Sequence, residues 1–173
     1  VQEMLRALGL PQAARFTGAV VTAVLLAASF PPWDAPEGAW VALVPLLLVS
    51  FFSAPRTAAR WGLVSGALFW LANLRWMLAL ARSGAPLVAA AAGWILLAGY
   101  CALYMAAFAA LVSVAAGGVA DKPWGLGKRL GLTCAIPLLW VGLEFIRSNL
   151  LGGFAWNTLG TSQFLNIPLI RLA

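Results

Sequence analysis

The chain has no histidine and only two cysteines among its 173 residues. Cys101 and Cys134 lie in different apolar segments, which excludes a disulfide framework and a cluster of metal ligands. A cysteine nucleophile needs a neighbouring base or positive charge, and Cys134 is about 15 Å from Glu144 along a helix. We therefore predict that both cysteines are small core residues, and we expect neither a metal nor a cofactor.

Charged residues are also scarce, at 9% of the chain, whereas hydrophobic residues make up 63%. A soluble domain of this size needs about a quarter of its residues charged to cover its surface. The composition therefore predicts an all-α, polytopic transmembrane helix bundle. At about 20 residues per span plus loops, the length allows at most five or six spans.

The few charges are mostly basic, with a net charge of +6. The lysines and arginines are scattered and form no run, so the charge does not indicate nucleic-acid binding. Short basic loops that stay in the cytoplasm explain the excess.

Apolar runs and helix breakers divide the chain into five predicted spans. The residues between 85 and 120 carry no charge, but they are too few for two spans and a turn, so they count as one crossing. For the first span, a secretory signal with residues 16–27 as its apolar core is the alternative; the later spans favour a retained helix. The predicted spans are 11–30, 39–52, 61–81, 86–116 and 130–147, followed by an outer loop at 148–163 and the start of another segment at 164–173.

Prolines and small residues refine this picture. Pro45 and Pro137 lie inside predicted spans and should kink them. Gly62, Ser65 and Gly66 cluster in the third span and should permit close helix packing.

The distribution of basic residues predicts the orientation. Seven fall on the side of the N-terminus and four on the other side, which places the N-terminus in the cytoplasm. The seven are Arg6, Arg15, Arg56, Arg60, Lys122, Lys128 and Arg129, and the four are Arg75, Arg82, Arg147 and Arg171.

The scarce polar side chains gather near the predicted outer ends of two spans. Glu144 and Arg147 share a helix face and are close enough to pair, either as an interfacial ion pair or as the floor of a lipid cleft. Arg75, beside Trp76, either extends to lipid phosphates or faces a substrate. The loop after Arg147 adds the other candidate site residues, Trp156, Asn157 and Gln163.

Residues 143–163, LEFIRSNLLGGFAWNTLGTSQ, resemble the segment L-E-W-L-R-G…T-G-F-P-W-N…G-Y-S-Q of bacterial apolipoprotein N-acyltransferases. The turn at residues 30–34, FPPWD, is similar to an F-P-P-aromatic-D turn of the same family. The chain departs from the family pattern at Phe145, Ser148, Ala155 and Thr161.

The resemblance implies the membrane part of an enzyme of the bacterial inner membrane, with the loop at residues 152–163 in the periplasm. The family moves an acyl chain from a phospholipid to the N-terminal diacylglyceryl-cysteine of an apolipoprotein, using Cys, Glu and Lys residues of a nitrilase-like α/β domain. We find no such catalytic set here, so we expect a fragment that is inactive alone. Glu144, Arg147, Trp156, Asn157, Gln163, Arg75 and Trp76 would then line a lipid cleft. A non-enzymatic membrane protein, such as a small transporter or a scaffold, is the alternative.

Overall fold

A computed structural model describes residues 10–117 and 124–171, and every regular element within these ranges is helical. The basic residues Arg6 and Lys122, which the orientation argument used, lie outside the described residues. The α-helices are α1 (Gln12–Ala28), α2 (Val44–Phe51), α3 (Pro55–Asn73), α4 (Leu87–Ala116), α5 (Leu126–Asn149) and the single turn α6 (Ile167–Ile170). The 3-10 helices are Pro36–Trp40, Arg75–Ser83, Leu150–Gly152 and Leu159–Gln163.

Three helical stretches are long and apolar enough to cross a membrane: Pro55–Ser83, Leu87–Ala116 and Leu126–Gly152. Two further apolar stretches, Gln12–Ala28 and Pro36–Phe51, are shorter. The uncharged segment after residue 85 forms one helix, α4, as the residue count predicted.

The expected kink at Pro45 is wrong, because Pro45 lies in the first turn of α2 rather than inside a longer helix. Proline suits this position, since the first turn leaves backbone N–H groups without partners inside the helix. One of those N–H groups makes a hydrogen bond to another helix: the Leu46 N–H donates to the Thr22 hydroxyl of α1 at 3.1 Å. This bond fixes α2 against α1.

Helices α3 and α4 form the most extensive helix pair. Gly62 and Gly66 are buried in it, and a Cβ atom on Gly66 would lie 2.8 Å from the Cα atom of Ala102. The prediction that small residues permit close packing is confirmed here. Larger side chains would hold the two backbones apart.

Helix α5 lies at the edge of this bundle, and Leu132 and Arg147 are its buried residues. Pro137 lies inside it. The prediction of two core cysteines is half wrong: Cys101 is buried in α4, but Cys134 is exposed on α5. The uncharged residues around Cys134 belong to a helix whose described surface is largely exposed.

The helices alternate in direction, so the ends of α1, α3 and α5 meet at one end of the bundle. We call it the loop end, because it carries the loop at residues 150–163. At the opposite end, the Ser113 hydroxyl of α4 donates to the Ser53 carbonyl at 2.6 Å, just before α3 begins.

Candidate functional site

The loop at residues 150–163, called loop 150–163 below, folds back onto the end of α5. The reversal uses left-handed backbone at Leu151, Gly152 and Gly153. At Gly153 a Cβ atom would collide with the Ser148 carbonyl, so the turn needs glycine. The Phe154 N–H donates to the Arg147 carbonyl at 2.9 Å, which closes the reversal.

Arg147 holds the first part of the loop. Its side chain is only 3% exposed, and its Nη1 donates to the carbonyl oxygens of Phe154 at 2.7 Å and Trp156 at 2.8 Å. The guanidinium carbon lies 4.8 Å from the ring centroid of Trp70 on α3. Charged donors make the stronger hydrogen bonds, and an aromatic face stabilises the remaining charge. Arg147 therefore connects α5, the loop and α3.

Glu144 holds the second part of the loop. Its Oε1 accepts a hydrogen bond from the Leu159 N–H at 2.7 Å, one turn of α5 before Arg147. The expected ion pair is wrong: across the described ranges, no carboxylate oxygen lies within ion-pair distance of the Arg147 guanidinium. Both side chains bind the loop backbone instead, because the N–H and carbonyl groups of that backbone have no hydrogen-bond partners in regular secondary structure.

Two amide side chains attach the loop to the rest of the bundle. Asn157 has a positive φ of 47°, and its Nδ2 donates to the Oδ1 of Asn73 at the end of α3 at 3.0 Å. Gln163 is 7% exposed and donates to the carbonyl of Pro36 at 2.7 Å. The loop is thus joined to the segments that follow α1 and α3.

The aromatic candidates lie on the outside of this assembly. Trp156 is 51% exposed, and its ring centroid lies 5.7 Å from that of Trp76. Arg75 is exposed as well, with its guanidinium carbon 5.9 Å from the ring centroid of Trp33. Among the seven candidates, Glu144, Arg147, Asn157 and Gln163 are bound within the protein, whereas Trp156, Trp76 and Arg75 face outward.

A small cavity lies beneath the loop. Its volume is about 30 Å³, and the polar groups of Tyr104, Glu144, Arg147 and Asn157 lie among its walls. This volume suits about one water molecule with several polar partners.

A larger groove runs between α2 and α5. It has a volume of about 410 Å³ and is mostly apolar, with Glu144 and Gln163 at its loop end. Its walls include Leu43, Val44, Leu47, Ile136, Pro137 and Val141. This space has the size and chemistry for hydrocarbon chains.

Sequence reasoning missed several residues that build the site. The ring centroids of Trp70 and Phe154 lie 6.0 Å apart where the loop meets α3, and the Tyr104 hydroxyl lies 2.7 Å from that of Tyr100. The sequence did carry one signal: Trp70 and Asn73 are three residues apart, so both project from the last turn of α3 toward one neighbour. The identity of that neighbour, 84 residues later in the chain, had no local signal.

Comparisons with known proteins identify relatives of this chain. The sequence profile described as apolipoprotein N-acyltransferase N-terminal domain matches residues 22–173. An apolipoprotein N-acyltransferase of Geobacter metallireducens is 36% identical over 90% of this chain and 28% of its own length. One from Rhodopirellula baltica is 31% identical over 87% of this chain and 26% of its own length.

A third, from Pasteurella multocida, is 26% identical over 90% of this chain and 28% of its own length. The chain thus spans about a quarter of the length of the curated relatives it matches. These matches, together with helices long and apolar enough to span a membrane, show that the chain belongs to the apolipoprotein N-acyltransferase family and corresponds to its N-terminal domain.

Proposed function

We propose that this chain is the membrane domain of an enzyme that moves an acyl chain from a phospholipid to the N-terminal diacylglyceryl-cysteine of apolipoproteins. Its part is to hold the two lipids in place at one surface of the bacterial inner membrane. One observation carries the proposal: loop 150–163 is fixed by buried polar side chains, while its Trp156 stays half exposed beside Trp76.

The candidate residues divide into two roles under this proposal. Arg147, Glu144, Asn157 and Gln163 are positioning residues, because their polar atoms bind the protein's own backbone or side chains. Trp156, with Trp76 beside it, faces the lipid and covers acyl chains. A tryptophan suits this level of the membrane, since it combines a large apolar ring with one N–H donor.

The covalent steps need a nucleophile and a base within hydrogen-bond reach of each other. Cys101 lines the small cavity beneath loop 150–163 but is fully buried in α4, and Cys134 is exposed on α5, outside that cavity. We assign the thioester chemistry to the Cys, Glu and Lys of a nitrilase-like domain in the longer protein. The length of the relatives supports this division.

The charges support an orientation with the loop end in the periplasm. Arg15, Arg56, Arg60, Lys128 and Arg129 lie toward the opposite end, and no acidic residue lies near them in the described ranges. At the loop end, Asp34, Glu37 and Glu144 offset the arginines. By the bias of lysine and arginine toward cytoplasmic loops, this distribution favours a cytoplasmic position for the basic end.

A labelling experiment tests the orientation. With both native cysteines replaced by alanine, a Thr158→Cys variant should react with a membrane-impermeant maleimide added to intact spheroplasts. An Arg56→Cys variant should react only after the membrane is opened. The opposite pattern would reverse the orientation and with it the placement of the lipid site.

Acyl transfer tests the function itself. In the longer protein, Trp156→Ala should lower the rate of apolipoprotein N-acylation at least about tenfold while the protein stays folded in the membrane. Phe145→Ala is the matched control, because Phe145 is also an exposed aromatic residue and lies on α5, outside the loop. Equal rates for the two variants would contradict the role given to Trp156.

A further inference from the structure

A second apolar groove, on the other side of the bundle, runs between α1 and α3. Its volume is about 580 Å³, and Ala23, Ala27, Leu68 and Ala72 line it with Trp33. The alanines create the space, because their short side chains leave the two helices separated by an open channel. None of its lining residues belongs to the α2–α5 groove or to the cavity beneath the loop.

The groove has a charged group at its loop end. Arg75 follows Ala72 by three residues, which is nearly one turn, and its guanidinium lies 5.9 Å from the ring of Trp33. Arg75 is exposed, and within residues 10–117 and 124–171 no carboxylate lies within ion-pair distance of it. The Arg75 guanidinium is therefore accessible to a ligand outside the protein.

We propose that the α1–α3 groove binds a phospholipid, with one acyl chain between the alanines and the phosphate on Arg75. The two parts of the site match the two parts of this ligand. A guanidinium presents a planar fork of donors that fits phosphate oxygens, and Trp33 holds that fork in place by stacking. From Val20 to Ala28 the groove follows α1 for about 12 Å, long enough to order part of one chain.

The site favours a membrane lipid over a soluble phosphate as its ligand, because the apolar groove begins next to the charged group. Binding at this site does not require acyl transfer. The two proposals can therefore fail independently, and the test below reads binding alone.

Native mass spectrometry of the detergent-solubilised protein tests the site. Phosphatidylglycerol is one probe, and diacylglycerol with the same chains, which lacks phosphate, is the other. Wild-type protein should retain phosphatidylglycerol about tenfold better, as expected for one charge-assisted pair. Glycerol 3-phosphate should not compete, whereas competition would mean that the site recognises free phosphate and would overturn the lipid proposal.

Three variants locate the binding. Arg75→Gln should lower phosphatidylglycerol retention about tenfold, to the level of diacylglycerol. Ala72→Phe, which fills an exposed part of the groove, should lower retention of both lipids. Arg82→Gln is the control, because Arg82 is an exposed arginine of the same 3-10 helix and should change neither.

Each contrary result has a meaning. If Arg75→Gln keeps the wild-type preference, or if Arg82→Gln loses it equally, the phosphate is not bound at Arg75. If Ala72→Phe retains both lipids, the groove is occupied by another part of the protein or makes only unselective contact with bulk lipid. Circular dichroism of each variant separates these outcomes from unfolding.

Discussion

The α3–α4 pair and α5 are held in the bundle in different ways. Helix α4 has ten buried residues spread along its length, whereas in α5 the buried residues are Leu132 and Arg147. The α3–α4 pair depends on backbones that approach closely at glycines. Helix α5 depends on the polar bonds made by its last turns and by loop 150–163.

The difference follows from the solvent. Lipid tails are as apolar as leucine, so burying an apolar side chain between helices gains little in a membrane. Close packing and hydrogen bonds remain as the sources of association. The α3–α4 pair depends on close packing and α5 depends on hydrogen bonds. Most of the α5 surface is therefore left free to contact lipid.

Filling the contact between α3 and α4 should have the largest effect. Gly62→Leu would place a Cβ atom 2.8 Å from the Ala109 methyl group and against the Met105 carbonyl. We expect it to lower the free energy of unfolding by at least about 3 kcal/mol, because the two backbones must separate. Unfolding by SDS in mixed micelles, followed by tryptophan fluorescence, measures this loss.

Gly99→Leu is the matched control. Gly99 lies on α4, and a Cβ atom there would meet nothing within 4 Å. Its variant should unfold within about 0.5 kcal/mol of the wild type. Equal losses at both glycines would mean that the close approach at Gly62 does not determine the stability of the pair, since leucine has the higher helix propensity at both positions.

Releasing the loop from α5 should have the next largest effect. Arg147→Gln removes the charged donor from the carbonyls of Phe154 and Trp156, at a cost of about 2 kcal/mol. The loss should be local, so loop 150–163 should become sensitive to protease in membrane vesicles while the helices persist. Mass spectrometry of the fragments locates the cleavage.

Lys128→Gln provides the comparison for that variant. Lys128 lies at the other end of α5 and also donates to a backbone carbonyl, that of Ala116, at 2.7 Å. Its loss should leave loop 150–163 resistant to protease. Cleavage of the loop in both variants would show that α5 detaches as a whole. It would contradict the prediction that Arg147 holds loop 150–163 locally.

Much of the fold was predictable because its signals are local. The uncharged run of residues defined α4, and small residues marked the α3–α4 contact. The wrong predictions concern residues whose surroundings are determined by other parts of the chain. Pro45 starts a helix because a 3-10 turn precedes it, and Cys134 is exposed because α5 lies at the edge of the bundle.

A single hydrogen bond across the site should contribute less than Arg147 does. The Asn157 amide donates to the Asn73 side chain, and bonds of this kind between membrane helices average about 0.6 kcal/mol. A double-mutant cycle with Asn73→Ala and Asn157→Ala, read by SDS unfolding, should give a coupling energy of about that size. Strictly additive losses would show that the two amides do not interact.

The candidate residues could be named from the sequence, but their contacts could not. The polar residues of the loop and of α5 stood out because polar side chains are rare in this chain. Their partners were not evident, because Glu144 and Arg147 have opposite charges at helical spacing, which suggests a pair. The competing partners were loop N–H and carbonyl groups, whose need for hydrogen bonds becomes visible only when the loop folds back.

The smallest effect on stability is expected at the exposed aromatic pair. Trp76→Ala removes one ring of a pair whose centroids lie 5.7 Å apart. In the wild type each of the two rings is about half exposed. The free energy of unfolding should change by no more than about 0.5 kcal/mol, since a surface substitution leaves no buried group unpaired. A loss as large as that of Arg147→Gln would mean that Trp76 holds the loop in place. A small loss of unfolding free energy, combined with slower acyl transfer in the longer protein, would show that Trp76 contacts lipid and does not support the loop.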